Sequence, residues 1–231
     1  MVYYFYATFD VQKRSGAAAV RFSVPTGNFG DILAGYLAQQ MGLPIEQLVL
    51  ATNENDILTR FFRTGVYGKA TVVPTISPSM DIQVASNFER YLFYQMDQDG
   101  DRVRAAMKQF SQEGRLEISV DENGVVDPLF IAGRGATAET LEVIKRYEEQ
   151  FDYLLDPHTA VGVWVAEQHP ASVPTICLAT AHPAKFTQTM EQAIDRSVHH
   201  PILDALDGAP TRCDSIANDR DAVQQYLVEH I

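Results

Sequence analysis

At 231 residues the chain allows one large domain or two small ones and can bury a real core. A formal net charge of −12 argues against nucleic acid, whose binders need basic stripes, and against an anionic membrane surface. Its two cysteines, Cys177 and Cys213, have neither metal-ligand spacing nor a disulfide framework, which suits a reducing cytoplasm. No apolar run reaches membrane-spanning length, and no basic region precedes an apolar one at the start, so neither membrane anchoring nor a signal peptide is expected.

Residues 1–14 are apolar from the outset, with no capping residue ahead of them, and end in Lys13, Arg14, Ser15 and Gly16, a helix C-terminal pattern. They read as the tail of a longer helix. A strand over 20–24 runs into a Gly-containing turn that opens a helix with the apolar stripe Ile32, Leu33, Tyr36, Leu37 and Met41. Leu48, Val49, Leu50 and Ala51 read as a parallel strand buried on both faces. Asn55 or Asn53 would cap the next helix, which bears Ile57, Leu58, Phe61 and Phe62. Residues 66–85 read as loop with a short strand near Val72 and Val73. Helices are expected over 87–96 and 102–112, with a turn at 121–124 and a peripheral helical insert over about 97–135.

Further on, 137–149 reads as a capped helix in which Glu139 is placed for a capping box. A short helix follows over 159–167, then a strand over 172–178. A helix with Pro183 in its first turn is expected over 183–198. His199 and His200 read as an exposed turn, and a final amphipathic helix would use Val223, Tyr226, Leu227 and Ile231. The β-α-β order implies a parallel sheet, whose ligands sit at the carboxyl ends of strands. The whole chain reads as one α/β domain, residues 1–231.

The turn at that strand end is Thr26-Gly27-Asn28-Phe29-Gly30-Asp31. Unpaired N–H groups at a helix start, aided by the helix dipole, favour an anion, and phosphate is the common guest. Gly27 and Gly30 allow close backbone approach. Other ordered segments accompany it: Ala51-Thr52-Asn53-Glu54-Asn55-Asp56, Ser77-Pro78-Ser79-Met80-Asp81-Ile82, Ser86-Asn87-Phe88-Glu89-Arg90, Asp156-Pro157-His158-Thr159-Ala160-Val161 and Ala179-Thr180-Ala181-His182-Pro183-Ala184-Lys185-Phe186. In these the chain resembles the C-terminal half of threonine synthases of the fungal and bacterial branch, which depend on pyridoxal 5'-phosphate and have fold type II.

The resemblance implies part of a large α/β domain, with a mostly parallel sheet flanked by helices. It implies that backbone N–H groups around Gly27, Asn28, Phe29 and Gly30 hold the cofactor phosphate. Asp31 lies in the same motif, either as a contact or as a first-turn helix stabiliser. Thr180 would meet the pyridine nitrogen, or cap the following helix, or both. His158 and His182 are candidates for a proton relay or for packing and capping at loops. Arg60, Arg63 and Lys185 are candidates for a substrate phosphate or are solvated helix positions. No metal site is expected.

The lysine that carries the cofactor as a Schiff base lies, in that family, upstream of these motifs. None of Lys13, Lys69, Lys108, Lys145 and Lys185 has its sequence context, so no Schiff-base residue is assigned here. The resemblance implies conversion of O-phospho-L-homoserine and water to L-threonine and phosphate once a missing N-terminal half is supplied. Two other functions stay open: a non-catalytic module for pyridoxal phosphate or another phosphate ester, and a partner half that assembles with a separate N-terminal chain.

Overall fold

The computed structural model describes residues 1–122 and 124–230. They form two compact units, Met1–Val198 and His199–Ile231. The larger unit is built on a four-stranded parallel sheet in the order β5-β2-β1-β6. Its strands are β1 (Val20–Pro25), β2 (Ile45–Thr52), β5 (Phe130–Arg134) and β6 (Thr175–Cys177). A two-stranded antiparallel ribbon joins β3 (Val66–Gly68) to β4 (Arg115–Glu117).

The central strands are buried on both faces, as the apolar run in β2 requires. Leu48 and Leu50 face one core with Phe22 and Val24, and Val49 and Ala51 face a second with Val161 and Val165. On the first side pack α1 (Val2–Ser15), α2 (Gly30–Gln40), α3 (Ile57–Thr64) and α4 (Phe88–Gln95). On the second lies α7 (Pro157–Glu167), apolar around nearly its whole circumference and buried accordingly. Next to it are α6 (Thr137–Phe151) and α8 (Thr187–Ile194), which share a smaller core of Val143, Ile144, Val163 and Met190.

Several expectations change in detail. The short strand falls at β3, not at Val72 and Val73, which lie in irregular chain. The stretch expected as a peripheral insert carries α5 (Gly100–Glu113) and β4 but ends in β5, an edge strand of the main sheet. The helix expected over 183–198 is a 3₁₀ turn at Pro183–Lys185, a break at Phe186 and then α8. Neither Asn53 nor Asn55 caps α3, whose cap position is Asp56. No capping box forms at α6: Glu54, from a distant loop, accepts from Thr137 N at 2.7 Å and Thr137 Oγ1 at 2.8 Å. The turn expected at 121–124 includes Asn123, which lies outside the described residues.

Within the second unit, His199 and His200, expected as a turn, lie in irregular chain just before α9 (Pro201–Asp204), and α10 (Arg220–His230) is the final helix. Val223 and Leu227 of its expected apolar stripe are exposed, and Ile231 lies outside the described residues. Among the described residues no helix is long and apolar enough to cross a membrane.

Leu50 is fully buried between sheet and helices, whereas Met41 is 66% exposed. Leu50→Ala should cost about 2–5 kcal/mol in urea unfolding, and Met41→Ala no more than about 0.5 kcal/mol.

Candidate functional site

The site starts from one residue in an uncommon conformation. Phe29 sits at the cap position of α2 with φ 67°, the left-handed region that larger residues avoid. Its ring is 1% exposed and packs on Phe62, Phe88, Tyr91 and Phe130, with centroids 5.5–6.2 Å away. That burial holds the backbone of the turn in place. A left-handed residue in such a turn lets successive N–H groups converge into an anion-binding concavity. Among the described residues no acceptor takes the N–H groups of residues 27–32; the Leu33 N–H is the first to be engaged, by the Phe29 carbonyl.

The turn borders a cavity of about 760 Å³ at the carboxyl ends of β1 and β6. Gly27, Asn28, Gly30, Asp31 and Thr180 all line it, together with Ser79, Met80, His158, Lys185 and Phe186. Phe29 is not among the lining residues; it shapes the turn from the core side. The need for glycine at position 27 is steric: a Cβ there would lie 2.7 Å from the Ser79 carbonyl oxygen. The cup and the 77–80 loop are therefore in direct backbone contact.

The 70–81 loop is held from beneath by the two asparagines that do not cap. Asn53 Nδ2 donates to Asp81 Oδ1 and to Thr75 Oγ1, both at 2.8 Å. Asn55 Nδ2 donates to the Val73 carbonyl at 2.8 Å, and its Oδ1 accepts from Val73 N at 2.8 Å. Both asparagines are buried, so these bonds satisfy groups that would otherwise be costly.

Asp31 accepts hydrogen bonds from the hydroxyls of Tyr3 and Tyr4, tying α1 to the start of α2. Burial, then the hydrogen bond to Asp31, pushes the Tyr3 phenol up to about 12, so it stays a donor. Arg60 and Arg63 do not line the cavity. Arg60 pairs with Asp56 at 2.9 Å and donates to the Gly68 carbonyl, and Arg63 donates to the Ala132 carbonyl at 3.0 Å. Lys185 alone of the three cations lines it.

His158 is 3% exposed. Its Nε2 accepts from Ser79 N at 3.2 Å, so Nδ1 carries the proton and donates to Asp156 Oδ1 at 3.1 Å. His182 takes the capping role, its Nδ1 accepting from Ala184 N at 3.1 Å. That leaves Thr180 without the capping role; its N–H donates to Thr159 Oγ1 at 3.3 Å. The motif around Asp156 was visible in the sequence, but not that its carboxylate, 2% exposed, would cap α7 and bond His158 and Thr159.

A family model described as "Threonine synthase, C-terminal" matches residues 159–227. The chain is 42% identical to the threonine synthase of Corynebacterium glutamicum, aligned over all of this chain and half of that protein. A crystal structure of threonine synthase from Brucella melitensis, described as bound to pyridoxal phosphate, superposes with TM-score 0.86 at 43% identity. It covers 99% of this chain and 49% of that one. The chain corresponds along its whole length to about half of a threonine synthase. The yeast threonine synthase structure, at TM-score 0.83 and 38% identity, covers 98% of this chain and half of its own. The α/β fold with a parallel sheet flanked by helices is thus that of threonine synthases. The chain spans about half the length of the relatives it matches.

Within this threonine synthase half, burial pushes the Asp156 carboxyl up, but hydrogen bonds from His158 and Thr159 outweigh it and hold it below the usual carboxylate range. A carboxyl lowered on folding stabilises above its unfolded value of about 3.9 and loses that stabilisation as pH falls toward its folded value. Asp156→Asn should therefore lower stability at pH 7 and flatten the fall in stability below about pH 4, measured by urea unfolding across pH.

Proposed function

We infer that this chain supplies half of a threonine synthase active site: the phosphate cup and the ring-nitrogen partner for pyridoxal 5'-phosphate. One observation carries the reading. The N–H groups of residues 27–32 have no acceptor among the described residues, and Gly27, Asn28, Gly30 and Asp31 line a cavity that Thr180 also lines. The donor set fits the cofactor. A phosphate suits clustered backbone N–H groups beside a helix N-terminus. A threonine hydroxyl, with no carboxylate alternative on that wall, hydrogen-bonds a neutral ring nitrogen.

In the proposed reaction O-phospho-L-homoserine and water give L-threonine and phosphate. The bound cofactor supplies an electron sink. Residues 27–31 would fix its phosphate, and Thr180 would orient the ring from the opposite end. His158, neutral and buried, would hold the Ser79 wall against Gly27. Lys185 would offer positive charge toward a substrate phosphate. The two unpaired cysteines fit a reducing cytoplasm.

The covalent lysine anchor belongs, on this reading, to an N-terminal half that must be added. A feature of α1 favours such a partner: Val2 is 83% exposed, Tyr6 75% and Phe9 56%, a row of large apolar groups open to solvent. The same cup could serve a non-catalytic module for phosphate esters.

Incubation with pyridoxal phosphate, borohydride reduction and peptide mass mapping test the reading. Reversible binding with no fixed adduct, and no threonine formed by the chain alone, is expected. A stoichiometric adduct on Lys185, or threonine formation by the pure chain, would contradict it.

A further inference from the structure

The two ends of the cavity are held by one buried carboxylate. At the cup end, the Ser79 carbonyl abuts Gly27 and the Ser79 N–H donates to His158 Nε2. His158 in turn donates from Nδ1 to Asp156 Oδ1. At the other end, the Thr180 N–H donates to Thr159 Oγ1, and the Thr159 hydroxyl donates to Asp156 Oδ2. The backbone N–H groups of His158 and Thr159 complete the carboxylate's partners, at 2.9 and 3.4 Å. Asp156, His158 and Thr159 are each no more than 3% exposed. Their first turn of α7 is wedged beneath the cavity floor, and the His158 ring lies 4.9 Å from that of Phe186, which also lines it.

We propose that Asp156, His158 and Thr159 form a positioning set that fixes the span between the phosphate cup and the Thr180 wall. The proposal rests on the reading of the cavity as a pyridoxal phosphate site. The side chains of His158 and Thr159 each make one bond to the shared Asp156 carboxylate and one to a cavity wall. Neither wall is tied to the other by a shared regular element at this point, since Ser79 sits in a single 3₁₀ turn, Pro78–Met80, and Thr180 in irregular chain. A ligand that touches only the cup is indifferent to the span. One that must reach from the cup to Thr180 is not, and a small displacement of one end weakens it disproportionately. Thr159 separates the two cases best. Of the two walls, its hydroxyl bonds only the Thr180 one, and it reaches the cup side only through Asp156 and His158.

The test compares the full chain with Thr159→Val and the hydroxyl-retaining Thr159→Ser. Pyridoxal phosphate and inorganic phosphate are each titrated. Thr159→Val should bind pyridoxal phosphate about tenfold more weakly, near the net worth of a buried hydrogen bond, and inorganic phosphate as the wild type does. Thr159→Ser should restore the first. Equal losses for both ligands would mark a merely structural role, and no loss for either would remove the coupling; both overturn the proposal. Amide hydrogen exchange at Thr180 in the ligand-free proteins gives an independent readout. It should be faster in Thr159→Val and not in Thr159→Ser, and equal exchange in all three overturns the clamp. A wild-type chain that binds no pyridoxal phosphate overturns the cofactor reading, and the exchange result still decides whether the clamp exists.

Discussion

A left-handed phenylalanine holds the core and the site together. A larger residue at φ 67° stores about 1–3 kcal/mol of backbone strain. Full burial of a phenylalanine ring contributes about 1.5–3 kcal/mol, and each well-placed aromatic neighbour adds about 0.5–1.5 kcal/mol. Four rings surround Phe29, so the cluster outweighs the strain and the turn stays in a form it would not adopt alone. The convergent N–H groups are a consequence of packing some ångströms away. The cup is built by the core rather than by the turn's own preferences.

Around that fixed point the other walls are attached by side chains that bury polar atoms in pairs. Asn53 and Asn55 draw the 70–81 loop over the strand ends, and Gly27 admits its backbone to contact. Asp31 ties α1 to the first turn of α2 through two tyrosine hydroxyls, so the exposed helix α1 and the cup share a carboxylate. An added chain segment covering α1 would thus act on a helix bonded directly to the site.

Much of this was legible in the residues. The uninterrupted apolar run at Leu48 to Ala51 specified a strand buried on both faces, and the ordered motifs specified the family. Gly27, Asn28, Gly30, Asp31 and Thr180 were singled out together from those motifs, and they line one cavity, which Phe29 does not. What the residues did not reveal depended on distant partners. β5 pairs on one side only and contains Gly133, so its five residues carry little strand signal. Asn53 and Asn55 have the composition of helix caps, but a loop some twenty residues on claims their amides. Glu54 caps α6 across 83 residues, which no local pattern could indicate. Phe29 was read as one more cup residue, and nothing local distinguished its ring from its backbone.

The central claim is that residues 27–31 and Thr180 grip opposite ends of one phosphate-bearing ligand. Backbone amide chemical-shift mapping of the isotope-labelled chain during titration with pyridoxal phosphate tests it most directly. The account predicts the largest saturating shifts at Gly27, Asn28, Phe29, Gly30 and Asp31, with a second group at Thr180 and its neighbours. Saturating shifts confined to other surfaces, or shifts at the cup with none near Thr180, would contradict it.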